Sequence, residues 1–390
     1  GVASAPGAAV AGDYDRDGNL DLAVALHVPD QVAVFLGDVA GKGFLGNGAG
    51  SPTPFAMVGT GPGTNPVDLA AGDLDRNGTL DLVTANRGDG TAAVLLGVGD
   101  GTFNAQPPAV AVGGRPSRVT LVDLDQDHLL DLVVIDLVAV DETPVTPRVV
   151  AFKGRAALPP FDPPTPFPAS LPLGSGPRGL AIGDFTSDGR ADLAIALSLV
   201  DQAVVVADDS GSGCARTSFA TAPRSYSVPD GPVSTAAADF DGDGRVDIAV
   251  ATANDVRIRI LRGGAGEFTT FADLGSFSPP PRAVATADLD FDGQVDLVAA
   301  LGDVDSGQVQ VLLRDGLGGF VTGPSLGAGK NTAAVAIGDF DGNGAPDVAA
   351  VSEGSGGVWV FLGDGAGGLV PVTGNPVLSG LTTPRALVAG

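Results

Sequence analysis

Asp239-Phe-Asp-Gly-Asp-Gly-Arg-Val-Asp247 is the stretch whose reading decides the fold. It follows the pattern Asp-x-Asp-x-Asp-Gly-x-x-Asp, and six further copies, some with single departures, start at Asp13, Asp73, Asp123, Asp184, Asp288 and Asp339. Successive copies are 60, 50, 61, 55, 49 and 51 residues apart. Self-similarity at such a period marks one supersecondary unit per copy. Around the central copy the unit can be read outward. Val233-Ser-Thr-Ala-Ala-Ala leads into it, and Ile248-Ala-Val-Ala-Thr-Ala leaves it. A turn at Asn254-Asp255 then precedes Val256-Arg-Ile-Arg-Ile-Leu, whose alternation over Arg257 to Ile260 is the period-two signature of a half-buried strand. A glycine-rich turn and Glu267-Phe-Thr-Thr-Phe complete four short strands.

The same grammar recurs along the chain. First strands such as Ala334-Val-Ala-Ile-Gly are built of small residues, which suits an innermost strand crowded around an axis. Second strands read Leu22-Ala-Val-Ala-Leu and Leu132-Val-Val-Ile, and third strands include Gln31-Val-Ala-Val-Phe-Leu and Val358-Trp-Val-Phe-Leu. Four antiparallel strands in each of seven units, closed radially, predict an all-β fold, a seven-bladed β-propeller with its acidic loop between strands one and two. Ring closure shields sheet edges that an open array would expose. The blades fall at about 6–60, 65–112, 115–172, 177–228, 232–274, 281–325 and 331–378, in one domain spanning 1–390. Residues 379–390 are left over. Pro384-Arg-Ala-Leu-Val-Ala-Gly390 matches Pro177-Arg-Gly-Leu-Ala-Ile-Gly, so this tail reads as the start of an eighth repeat or as a spare strand.

The composition agrees with many short strands and tight turns: 59 Gly, 30 Pro and an apolar fraction of 44%. No apolar run approaches the roughly 18 residues of a membrane helix, so membrane insertion is not expected. A net charge of −25 argues against nucleic acid as a partner. The charge is concentrated, since 25 of the 46 acidic residues lie in the seven loops. The lone cysteine, Cys214, permits no intramolecular disulfide.

Oxygen donors at alternate positions around a glycine are how a loop wraps a hard cation, and Ca²⁺ is the ion expected, up to seven per chain. Side chains at positions 1, 3 and 5 converge, glycine at position 6 allows positive φ, a backbone carbonyl serves at position 7 and a carboxylate at position 9. The candidate ligands are Asp13, Asp15, Asp17, Asn19 and Asp21; Asp73, Asp75, Asn77, Thr79 and Asp81; and Asp123, Asp125, Asp127 and Asp131. They continue with Asp184, Thr186, Asp188, Arg190 and Asp192; Asp239, Asp241, Asp243, Arg245 and Asp247; Asp288, Asp290, Asp292, Gln294 and Asp296; and Asp339, Asp341, Asn343, Ala345 and Asp347. Asn77 and Asn343 are neutral donors and Thr186 is a poor one. In the third loop His128 stands where the glycine belongs, and because His enters the left-handed region less easily, this loop is expected to be the weakest. An EF-hand is excluded. Its position 12 requires a bidentate Glu, whereas these loops carry Val24, Thr84, Val134, Ile195, Val250, Ala299 and Ala350 there.

The loops, their Gly183-Asp-Phe and Gly338-Asp-Phe lead-ins and the turn from Leu362 to Gly368 resemble FG-GAP/VCBS repeats over residues 6 to 378. The resemblance implies the seven-bladed propeller of integrin α-subunit heads and of many secreted bacterial proteins, with the family's metal ligands falling on the aspartates named above. Calcium-type loops in every blade and no disulfide pair point to a bacterial-type member, extracellular or at the cell surface.

Function is expected on the face away from the acidic loops, built from His27 to Gln31, Asn86 to Thr91, Asp136 to Pro147, Asn254-Asp255, Asp303 to Gln308 and Glu353 to Gly357. The leading expectation is a monomeric, non-catalytic adhesion or protein-interaction module with an unidentified protein or glycan partner. The alternative is a carbohydrate-binding or lyase-type propeller. Acid–base catalysis wants clustered His, Tyr, Lys or Arg, and the chain has only His27, His128, Tyr14 and Tyr226 to offer beyond its scattered Lys and Arg. Trp359 is read as packing between blades rather than as a sugar platform. Arg87-Gly88-Asp89 is read as a chance triplet in a chain rich in Gly and Asp, and the proline-rich stretch from Asp141 to Pro172 as a surface loop.

Overall fold

The computed structural model describes residues 6–27, 29–37, 54–137, 147–155, 160–161, 169–171, 175–208, 223–264, 267–316, 319–379 and 386–389. Cys214, most of the proline-rich stretch and residues 138–146 of the second-face segment lie outside the described residues.

Seven sheets follow one another along the chain, each built of four antiparallel strands in sequence order from the axis outward, with one further C-terminal strand joined to the first. The inner strands are Pro6–Gly12, Pro66–Gly72, Pro116–Val122, Pro177–Gly183, Pro232–Ala238, Pro281–Ala287 and Thr332–Gly338. The strands after the acidic loops, from Asp21–Leu26 through Asp347–Ser352, are buried at every position. They lie mid-sheet with a neighbouring blade against each face, which explains why they read as continuous apolar runs. Farther out, alternation returns. Arg257–Gly263 buries Ile258 and Ile260 while Arg257 and Arg259 stay partly open to solvent. Fourth strands such as Phe103–Ala111 are mostly exposed, and prolines 107 and 108 blunt that edge.

The blades are held to one another by seven apolar clusters among the described residues, one for each interface. Val10, Ala23, Leu69, Leu82 and Leu95 form the first-to-second interface, and Leu22, Val24 and Phe35 meet Ala349, Val351 and Val358 where the seventh blade closes on the first. Trp359 belongs to the interface of blades six and seven, with Leu289, Val298 and Ala328, and is only 8% exposed. Tyr14 sits edge-on to Phe103 at 5.5 Å between blades one and two.

Two features surround the axis. Every inner strand carries a register shift just inside its axial start, after Pro6, Pro66, Pro116, Pro177, Pro232, Pro281 or Thr332. Proline at the first strand residue removes a ladder donor, and a bulge next to it re-aims the following residues. The C-terminal strand Ala386–Ala389 pairs in parallel with Pro6–Gly12, and it lies beside Thr332–Gly338 as well, so it fills an inner place between blades seven and one. Pro384, Arg385 and Gly390 of the same tail are outside the described residues.

The third strand of each blade ends against the acidic loop, on a glycine in three blades and two residues before one, Gly37 or Gly154, in two more. A Cβ on Gly97 would stand 2.2 Å from the Leu80 carbonyl oxygen, and one on Gly363 2.1 Å from that of Pro346. Gly97→Ala should therefore destabilise the protein by about 1–3 kcal/mol, as overpacking does. Gly59→Ala, with nothing near the added carbon, should change it by less than about 0.5 kcal/mol. Urea unfolding midpoints of the two variants check the contrast.

Candidate metal sites and the opposite face

Each acidic loop is drawn tight by its own backbone. The amide of position 5 donates to one oxygen of the position-1 aspartate at 3.0–3.2 Å. The amide of position 6 donates to the other oxygen at 2.7–3.0 Å. The amide of position 7 donates to the position-5 side chain at 2.6–3.0 Å. These bonds place Asp13, Asp73, Asp123, Asp184, Asp239, Asp288 and Asp339 at the centre of their loops and curl the chain around them.

The position-9 aspartates do something the sequence reading missed. Asp21, Asp81, Asp131, Asp192, Asp247, Asp296 and Asp347 are fully buried. One oxygen of each accepts from a loop amide at 2.7–2.9 Å, that of position 2 in six loops and that of position 3, Thr186, in the fourth. The other accepts from an amide at the end of the third strand, in Gly37, Gly97, Gly154, Asp208, Gly263, Arg314 or Gly363, at 2.6–2.8 Å. A residue expected only as a ligand is thus also the clamp between loop and blade. Burial raises Asp21, Asp81, Asp131, Asp192, Asp247 and Asp347 to about 6, outweighing the two amides, and the neighbouring loop carboxylates push the same way.

The left-handed backbone also goes further than the glycine at position 6. Position 4 has positive φ in every loop, as Arg16, Arg76, Gln126, Ser187, Gly242, Phe291 and Gly342. From there a side chain can reach the next blade. Arg16 donates to the Asn77 carbonyl at 3.1 Å, Arg76 to the carbonyl of His128 and Gln126 to that of Gly189. His128 itself adopts φ 65°, and its amide bonds Asp123 as the glycines do in their loops. Its side chain points to solvent with 90% exposed. His128 thus takes the left-handed conformation that glycine takes in the other loops.

Carboxylate oxygens of Asp13, Asp15 and Asp17, of Asp73, Asp75 and Asp81, of Asp123, Asp125 and Asp127, of Asp239, Asp241 and Asp247, and of Asp288, Asp290 and Asp292 lie within 4.8 Å of one another. Each group could hold a metal ion, and an all-oxygen donor set suits a hard divalent cation. The remaining donors expected from sequence, Asn19, Thr79, Arg190, Arg245, Gln294 and Ala345 through their carbonyls and Thr186 and Asn343 through their side chains, sit in the same loops. All seven loops lie at one face of the ring.

The central channel, about 630 Å³, runs between the inner strands. Small residues such as Ala70, Ala236, Ala285 and Ala336 line its depth, and Asp68, Arg118, Ser234 and Arg282 line the bulged strand starts. Asp68 is 3% exposed, accepts from the Val119 amide and lies 3.7 Å from Arg118. Arg118 also donates to the Arg178 carbonyl at 3.1 Å, bridging blades three and four. Arg282 lies 3.9 Å from Glu353. The Arg87-Gly88-Asp89 turn is pinned: the amides of Arg87 and Gly88 donate to Asn65 and Thr64, and Asp89 accepts from the amide and hydroxyl of Thr91.

Removing a clamp carboxylate should hurt even without metal. Asp81→Ala strands the Leu74 and Gly97 amides, and at about 1–3 kcal/mol per unmade buried bond it should lower stability in chelator by about 2–5 kcal/mol. Asp75→Ala should change the chelated protein far less. Chemical unfolding in EDTA checks the pair.

No curated protein sequence matches the chain. Solved structures share its fold. A protein from Lactobacillus plantarum aligns with TM-score 0.60 and 15% identity over 98% of each chain. A functionally unknown protein from Desulfotomaculum acetoxidans aligns with TM-score 0.58 and 14% identity over 92% of this chain and 96% of that one. A periplasmic gluconolactonase from Pseudomonas aeruginosa aligns with TM-score 0.52 and 20% identity over 84% of this chain and 86% of that one. Residues 13–84, 80–134, 239–299 and 288–350 match the FG-GAP-like repeat, more than half of the chain, and the protein belongs to that family.

Proposed function

We propose that this propeller is a calcium-stabilised, extracellular, non-catalytic adhesion or protein-interaction module. The observation that carries the reading is the repetition of one hydrogen-bonded acidic loop in each blade, between its first and second strands, with three carboxylates within 4.8 Å of one another in at least five of them. A single such site would suit local stabilisation, whereas a whole ring of them makes the scaffold as a unit respond to the ion. Affinities of about 10⁻⁴ to 10⁻³ M belong to extracellular modules, which fits a chain whose only cysteine forms no internal disulfide. With metal committed to one face, the partner is engaged by the other. Two of the side chains that acid–base chemistry would call on are placed otherwise: His128 is a solvent-exposed loop side chain, and Tyr14 is buried with its hydroxyl donating to the Val10 carbonyl at 3.2 Å.

A second reading draws support from the channel mouth. Arg118 and Arg282 bring cationic side chains to a protein of net charge −25, a placement that suits an acidic polysaccharide. The anion would compete with Asp68 and Glu353 for the two guanidinium groups.

Both readings are open to measurement. At a calcium concentration ten times Kd each site adds about 1.4 kcal/mol, so EGTA should lower the melting temperature by about 10 °C or more. A melt that EGTA leaves unmoved would sink the calcium account. Retention on immobilised polygalacturonate, abolished in the Arg118→Ala/Arg282→Ala variant, would favour the polysaccharide reading over the protein-interaction one.

A further inference from the structure

The third loop differs from the others in what sits on its carboxylates. Lys153, the residue before the turn glycine, reaches back to it. Its Nζ donates to Oδ2 of Asp125 and lies 3.0 Å from Oδ2 of Asp127. The Lys153 side chain is partly buried, 27% exposed, and that of Asp125 is 5% exposed. The equivalent residue is Leu36, Leu96, Ala207, Leu313 or Leu362 in five other blades, none of which can supply a charge. Arg262 takes the place in blade five, but it is about half exposed and meets Asp241 alone, at 3.2 Å. Among the ion pairs of the described residues, the one cation that bridges positions 3 and 5 of a loop is Lys153 in blade three.

We propose that Lys153 is the resident cation of blade three: its ammonium takes the position that a calcium ion takes in the other loops, so this blade closes without metal. The inference rests on the calcium reading of the remaining loops and refines it. Positions 3 and 5 are the oxygens a divalent ion must share with position 1, and a bound ammonium both occupies them and repels a second cation. His128 is not the obstacle, because its backbone already has the conformation and the amide bond of the glycine it replaces. Asp125 Oδ1 has no hydrogen-bond partner, yet one open oxygen falls well short of the six to eight that calcium takes.

The test counts ions and measures stability separately. Equilibrium dialysis with metal analysis should find about six calcium ions on the wild-type chain of seven loops. Lys153→Met should raise the count by one, and Arg262→Met should leave it unchanged. Unfolding in EGTA, with no metal present, should show Lys153→Met less stable than wild type, and calcium should recover the difference. A wild-type count of seven overturns the proposal. So does a higher count in His128→Gly, which would put the block at the glycine position. An EGTA midpoint unaltered by Lys153→Met overturns it as well. If the wild type binds no calcium, the reading of the other loops fails, while the EGTA arm still decides whether Lys153 holds its loop together.

Discussion

A buried carboxylate shared between two backbone amides is the interaction on which each blade depends. The position-9 aspartate lies at the first residue of the second strand, and its two oxygens bond the acidic loop on one side and the third strand on the other. Three segments distant by 7 and 16 residues in blade five are thereby fixed to one side chain. Charge-assisted bonds of this kind are stronger than neutral ones, but the group is also taken out of water, which disfavours its ionised form. The same carboxylate therefore stabilises by geometry and destabilises by charge.

That tension explains the cations around it. Each loop gathers three or four aspartates, and like charges within a few ångströms repel more strongly as water is excluded. A divalent ion offsets the repulsion in one step, while the chain's own cations do so piecemeal. Lys153 sits between two carboxylates of its loop, Arg262 leans on one carboxylate of another, and Arg16 and Arg76 reach backbone carbonyls of the next blade's loop and join loop to loop. Lys153 is accordingly raised above the ordinary lysine range: burial opposes its charge, and the bonds to Asp125 and Asp127 prevail.

Much of this was legible because it is local. The nine-residue pattern counts the blades, the small residues before it mark the inner strands and the apolar run after it marks the strand buried on both faces. Contacts between distant residues were not legible in the same way. Nothing near Asp125 in sequence announces Lys153, 28 residues away. His128 drew suspicion for the conformation of glycine, and the structure shows that conformation adopted, because Asp123 accepts from its amide. Position 4 escaped notice since its residue type varies while its backbone does not. The clamp role of position 9 was hidden for another reason: an aspartate that bonds amides and one that ligates a metal look identical in a motif.

The two faces of the ring follow from one asymmetry in the inner strand. At its far end the strand runs into the acidic loop, where the chain must curl. At its near end a proline or Thr332 starts the strand, and a bulge follows at once. The loop end is nearly the same in every blade because its bonds are made within the loop and to its own third strand. Nothing equivalent constrains the bulged end, where the third strand residue is Ala8, Asp68, Arg118, Gly179, Ser234, Ala283 or Ala334. Small residues there leave the channel open, and the few long ones crowd it with charge. Repetition therefore builds the scaffold at one end, and departure from repetition gives the ring an individual surface at the other. A residue such as Arg118, which bridges to Asp68 in one blade and to the Arg178 carbonyl in another, ties the channel mouth to the blades on either side of it.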